Sequence, residues 1–168
     1  MARKRPVVGV VMGSESDLPK MKRCLQQLDE LGIPYEVRII SAHRSPDAAD
    51  EYASGAARRG LKVIIAAAGM SAALSGVLAA RTTLPVIGVP MPSGPLVGVD
   101  AALSTLQMPP GVPVGCMTIG EAGAINAAIY AAEILATADK KLAARLKELK
   151  RAHARKVAEK DSALRGRR

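Results

Sequence analysis

The chain has 168 residues, 49% of them hydrophobic, which suffices for one domain with a sizeable core and leaves too little for a second. Aromatic residues make up 2%, with no Trp or Phe, so the core must be built from Ala, Val, Ile, Leu and Met, and a base-stacking platform for single-stranded nucleic acid is excluded. The net charge of +9 is uneven: residues 139–168 hold twelve Lys and Arg against four acids, the other 138 residues twelve against eleven, so the excess reads as a solvated tail on a nearly neutral body.

Residues 7–12 form a continuous apolar, β-branched run ending at Gly13, the pattern of a strand buried on both faces. The run is too short for a secretory signal core. Ser16 or Asp17 is expected to cap the next helix, with Pro19 in its first turn. Leu18, Met21, Leu25, Leu28 and Leu31 then follow helical spacing until Gly32 stops it. Residues 35–40 make a second strand, and Pro46 opens a helix through about Arg59, closed by Gly60. A third strand over 61–68 enters Gly69 and a helix over about 71–81; a fourth strand over 85–89 leads into a Pro- and Gly-rich loop, 90–98, that suits a lid or a rigid connector. A short helix over 99–107, a fifth strand over 113–119, an Ala-rich helix from 121 to about 137 and a basic helix from 140 to about 159 complete the chain. The Ala-rich helix is too apolar for a lone surface helix, so it is either central or at a subunit contact.

Five alternations of strand and helix predict an α/β fold: a three-layer, open, doubly wound parallel sheet of the flavodoxin-like kind, with a C-terminal helical extension. Residues 1–138 are expected to form the α/β domain, and the basic tail, 139–168, to pack on it or on a neighbouring subunit. No apolar stretch is long enough to cross a bilayer, so no membrane is expected as a partner. Cys24 and Cys116 lie far apart in different elements and read as reduced thiols of a cytoplasmic protein.

In such a sheet, ligands bind at the carboxyl ends of the strands, and each polar motif falls at one. Gly13-Ser14-Glu15-Ser16-Asp17 offers two hydroxyls and the free amides of a helix start, a cradle for an anion or simply a helix cap. It lacks the glycine pattern of a dinucleotide site and the lysine of a P-loop. Ser41-Ala42-His43-Arg44-Ser45-Pro46 follows the second strand. His43, the only histidine outside the tail, has the chemistry to transfer a proton, and Arg44 offers a fork for phosphate or carboxylate. One such histidine cannot build a zinc site, so no metal is expected. Ala66-Ala67-Ala68-Gly69-Met70-Ser71-Ala72-Ala73-Leu74-Ser75-Gly76 carries few reactive side chains; its small residues suit either close backbone approach to a flat ligand or tight helix–strand packing.

Together with Leu84-Pro85-Val86-Ile87-Gly88-Val89-Pro90, Gly98-Val99-Asp100, the segment 107–114 and the segment 120–128, these motifs resemble one enzyme family over roughly residues 7–150. That family comprises the N5-carboxyaminoimidazole ribonucleotide mutases and the phosphoribosylaminoimidazole carboxylase catalytic subunits of purine biosynthesis. The resemblance implies a homo-octamer with active sites at subunit contacts, acting on a small ribonucleotide and CO2 without metal, biotin or nucleotide cofactor. It implies that Ser14, Ser16 and Asp17 hold the ribose phosphate portion, that Ser41, Ala42 and Arg44 contact the ligand, that Ala68, Gly69 and Ser71 line the base, and that His43 is the acid–base group. The mutase branch usually carries Gly-Gly-Ala-Ala-His-Leu-Pro-Gly after the third strand; here Ala73 replaces that histidine and Ser75 the proline. That stretch is closer to the branch that carboxylates aminoimidazole ribonucleotide directly with CO2, whereas segments 107–109 and 120–128 resemble the mutases. The carboxyl donor is therefore open at this point: the N-carboxylate of the substrate, or free CO2.

Two other classes fit the sequence less well. A phosphoacceptor signalling domain of the same topology needs an aspartate ending the third strand and a lysine near the end of the fifth, where this chain has Ala68-Gly69 and Thr118-Ile119. A nucleic-acid-binding protein would rest on the tail alone, so no nucleic acid is expected as a partner.

Overall fold

Five β-strands and six α-helices follow the predicted order in a computed structural model that describes residues 5–166; the basic start, 1–4, and the last two residues of the tail lie outside the described residues. The strands are β1 (Val8–Met12), β2 (Tyr35–Ile39), β3 (Val63–Gly69), β4 (Val86–Met91) and β5 (Gly115–Cys116). They lie in the order β2-β1-β3-β4-β5 with every neighbouring pair parallel, a flavodoxin-like sheet. The strand order reverses between β1 and β3, so the loops leaving them open a crevice at their carboxyl ends.

Alternate residues of the buried strands feed two cores. On one face Val8, Val10, Ile65, Ala67 and Val89 meet α1 (Leu18–Glu30) and α5 (Glu121–Ala136). On the other, Val11, Ile64, Ala66 and Val86 meet α2 (Pro46–Arg59) and α3 (Leu74–Ala79). The Ala-rich α5 is central rather than peripheral: Ala124, Ala127, Ala128, Ala131 and Ala132 are fully buried. Its first turn runs so close to the Thr118 carbonyl that a Cβ at Gly123 would overlap it. In α4 (Val99–Leu106), Ala101 and Thr105 face inward, while Val99, Leu103 and Leu106 point outward. In α6 (Lys140–Arg165), Asp139 caps the start by accepting from the amides of Lys141 (2.9 Å) and Leu142 (3.1 Å). Leu142 and Leu146 anchor this helix to the core, and every residue from His153 to Gly166 is exposed.

Several boundaries differ from the sequence expectation. The fifth strand has two residues instead of 113–119, since β4 contains Pro90, which has no N–H to donate; the extended chain still follows β4 through bonds from Met117 N to Gly88 O and Gly120 N to Pro90 O, both 2.9 Å. The helix expected from residue 71 begins at Leu74, because the amides of Ala72 and Ala73 bond two residues back, to Met70 O (2.9 Å) and Ser71 O (2.7 Å), in a tight turn instead of a helical one. Ser14, not Ser16 or Asp17, supplies the cap at the first helical segment: its hydroxyl accepts from Ser16 N, opening the 3-10 turn Glu15–Asp17 that runs into α1. The fourth strand runs on through Pro90 and Met91, and the tail helix continues to Arg165. No helix among the described residues is long and apolar enough to cross a membrane.

Candidate active site

The crevice is built from three loops, one from each of β1, β2 and β3. Gly13 leaves β1 while still bonded to its neighbour, its N–H donating to Ala67 O at 3.0 Å. Ser14 then turns the chain, accepting from the amide (3.3 Å) and the hydroxyl (2.9 Å) of Ser16. Asp17 follows, only 7% exposed. Burial raises its carboxyl above the ordinary 3.8, while the backbone N–H of Ser14 and the charge of Lys20 oppose the rise.

The second loop is tied by its own serines. Ser45 Oγ donates to Ser41 O (2.9 Å) and accepts from Ser41 N (3.1 Å), and Ser41 Oγ accepts from Arg44 N (3.2 Å) and Nε (3.4 Å). The guanidinium also reaches the first loop, Nη2 donating to Gly13 O at 3.3 Å. Arg44 is thereby held across the ends of β1 and β2, and His43 beside it is exposed. Pro46 begins α2 directly afterwards, which fixes where the turn must end.

The third loop leaves β3 at Gly69, where a Cβ would overlap Ser93 Oγ; the absence of one lets the loop after β4 come alongside. Ala72 N bonds to Met70 O (2.9 Å) and Ala73 N to Ser71 O (2.7 Å), carrying the chain round into α3.

These loops enclose a cleft of about 470 Å³ that brings together all ten residues expected from the sequence: Ser14, Ser16, Asp17, Ser41, Ala42, His43, Arg44, Ala68, Gly69 and Ser71 all line it. Met70, Ala73, Leu74 and Ser93 line it as well and were not anticipated. Ser93 belongs to the loop read as a lid or connector; its one signal in the sequence is a serine four residues past the predicted end of the fourth strand. Segments 107–114 and 120–128, although they resemble the family, do not line the cleft: Met108 packs against Gly76 of α3, and 120–128 opens α5. A larger hollow, about 690 Å³, lies near the amino ends of the strands, lined by Leu31, Ile33, Lys62, Leu142 and Arg145 among others. It contains no histidine. His43 is the only imidazole among the cleft residues, and Ala73 contributes only a methyl group to the lining. Among the described residues, no group of three or more His, Cys, Asp or Glu side chains is placed to hold a metal ion.

Comparison with known proteins gives a consistent picture. The AIR carboxylase family profile matches residues 7–156. A Bacillus subtilis protein named N5-carboxyaminoimidazole ribonucleotide mutase is 55% identical over 144 residues, 86% of this chain and 89% of its own length. A Mycobacterium tuberculosis protein of the same name is 52% identical over 163 residues, 97% of this chain and 92% of its own. The crystal structure of Treponema denticola PurE superposes with a TM-score of 0.84 at 33% identity, covering 95% of this chain and 99% of that one.

The buried carboxyl of Asp17 yields a pH-dependent expectation. Its raised folded value means that the ionised form costs stability, a cost that is absent at low pH and develops as the pH rises. Asp17→Asn is therefore expected to melt at a higher temperature than the parent at neutral pH, with the gap closing as the pH falls towards 3.8. Thermal melts followed by circular dichroism across that range check this, and a gap that does not change with pH contradicts it.

Proposed function

We propose, from the premise that this chain belongs to the AIR carboxylase family, that its cleft runs the carboxyl-transfer step of purine biosynthesis with His43 as the proton carrier. The enzyme is an N5-carboxyaminoimidazole ribonucleotide mutase, an isomerase that forms 4-carboxy-5-aminoimidazole ribonucleotide. The observation that carries the site assignment is the meeting of three separate loops, with ten expected residues, around one cleft.

The chemistry proceeds by carboxyl migration through CO2. The bond between the exocyclic nitrogen and the carboxylate breaks, CO2 departs, and the nitrogen takes a proton from His43. Carbon 4, made electron-rich by the neighbouring amine, attacks the CO2, and the proton it then loses returns to His43. The proton count closes to zero, as an isomerisation requires, so one imidazole suffices. Holding CO2 beside carbon 4 provides the proximity advantage. Ser14, Ser16 and Asp17 hold the ribose phosphate portion. Ser41, Ala42 and Arg44 contact the ligand, Arg44 in an orientation already set by its bonds to Gly13 and Ser41. Ala68, Gly69 and Ser71 line the base. A second reading, direct carboxylation of 5-aminoimidazole ribonucleotide by CO2, is favoured by one observation: Ala73 stands in the cleft where the mutase branch usually has a histidine.

The working form we propose is a cytoplasmic homo-octamer in which residues 1–138 carry out catalysis and the tail, 139–168, packs against its own domain or a neighbour. The exposed stripe of Val99, Leu103 and Leu106 on α4 and the solvent-facing end of α6 support self-association. Sedimentation of the full chain is expected to give a closed oligomer, and a monomer at micromolar concentration contradicts it.

Each substrate supplied separately, with and without bicarbonate, tests the reaction. Turnover of the carboxyamino compound that does not depend on bicarbonate supports the mutase; turnover confined to 5-aminoimidazole ribonucleotide plus bicarbonate supports the second reading. His43→Asn is expected to lower kcat by about 10²–10⁴-fold while leaving ribonucleotide binding largely intact; turnover close to the parent's removes His43 from the role.

A further inference from the structure

Met70 has a backbone that its side chain disfavours. It lies in the left-handed region (φ 55°), where a side chain crowds the following carbonyl and glycine carries no such penalty. Burial does not compensate, since Met70 is 55% exposed. A strained, half-exposed, apolar residue on the lip of a cleft is not a core-packing residue, and strain of this kind gathers at sites where a particular side chain has to be presented.

Its neighbours show where it is presented. Met70 lies against Gly94 in the loop after β4: a Cβ built on Gly94 would sit 3.3 Å from Met70 Cγ and 3.8 Å from both Sδ and Cε. One residue earlier the relation reverses, with Ser93 occupying the space that a Cβ on Gly69 would need. The two loops thus interlock, each placing a side chain over the other's glycine, and Met70, half-exposed, lines the same cleft as His43 and Ser71. Ala73, which also lines the cleft, extends no further than its methyl group.

Resting on the reading that CO2 is set free inside this cleft, we infer that Met70 is the side chain that covers the mouth and keeps CO2 beside carbon 4 until the new bond forms. CO2 carries no charge and only weak hydrogen-bond acceptors, so the arginine and serines that hold a ribonucleotide cannot retain it. Enclosure by a polarisable, flexible apolar group can. Escape leaves a distinct product: when the N–carboxylate bond breaks and CO2 leaves the cleft, the protonated amine remains as 5-aminoimidazole ribonucleotide and no carbon 4 bond is made.

The experiment measures that partition. Parent, Met70→Gly and Met70→Leu receive the carboxyamino ribonucleotide without bicarbonate, and the 4-carboxylated and decarboxylated products are quantified after subtraction of the enzyme-free loss. Met70→Gly is expected to raise the decarboxylated share several-fold with little change in KM, and Met70→Leu to restore most of the parent partition. Because glycine relieves the left-handed strain, Met70→Gly is also expected to melt no lower than the parent, which separates leakage from unfolding. A parent partition retained in Met70→Gly overturns the inference. If the parent proves to act only on 5-aminoimidazole ribonucleotide with bicarbonate, the mutase reading fails separately, and the inference is then read from the KM for bicarbonate, which Met70→Gly should raise several-fold; an unchanged value overturns it.

Discussion

Where the first turn of α5 passes the Thr118 carbonyl, and where Gly69 passes Ser93, there is no room for even one additional carbon atom. Close approach of this kind is the constraint on which the molecule depends. With no Phe or Trp to fill space, the interior is closed by drawing segments together, and the Ala residues of α5 do the same along the whole helix. The cleft inherits the arrangement. Its walls are small residues such as Ala42, Ala68 and Ala73, and its loops touch because glycines stand opposite larger side chains.

Within that frame, the site is economical in titratable groups. Asp17 is buried, Arg44 is exposed but tied to backbone and hydroxyl oxygens, and His43 is exposed. An isomerisation that returns the proton it borrows needs one carrier. The remaining requirements are to hold the ribonucleotide, which the serine-rich turns and Arg44 are suited to, and to confine a small neutral intermediate, which is a matter of shape. Charge and enclosure are thus divided among different residues of the same three loops.

Much of this was legible in the sequence because a parallel sheet buried on both faces leaves continuous apolar runs, and β1, β3 and β4 have them. The ends of those runs located the loops, and the loops contained all ten of the expected site residues that line the cleft. The misses have physical causes. The fifth strand looked longer because residues 113–119 are apolar and extended, yet Pro90 breaks its ladder. The third helix looked longer because nothing in Met70-Ser71-Ala72-Ala73 forbids a helix locally, and the left-handed turn at Met70 emerges only when the loop after β4 is in place. Ser93 and Met70 were missed for the same reason: their position depends on an interlock between two loops more than twenty residues apart, which no local pattern encodes.

Carboxyl migration within this cleft is the central claim, and isotope tracing tests it most directly. Carboxyamino ribonucleotide labelled with carbon-13 in its N-carboxylate is converted in the presence of unlabelled bicarbonate, and the label in the 4-carboxylate is measured by mass spectrometry. The account predicts that most of the label is retained in the product. A product carrying the isotopic composition of the surrounding bicarbonate would contradict it.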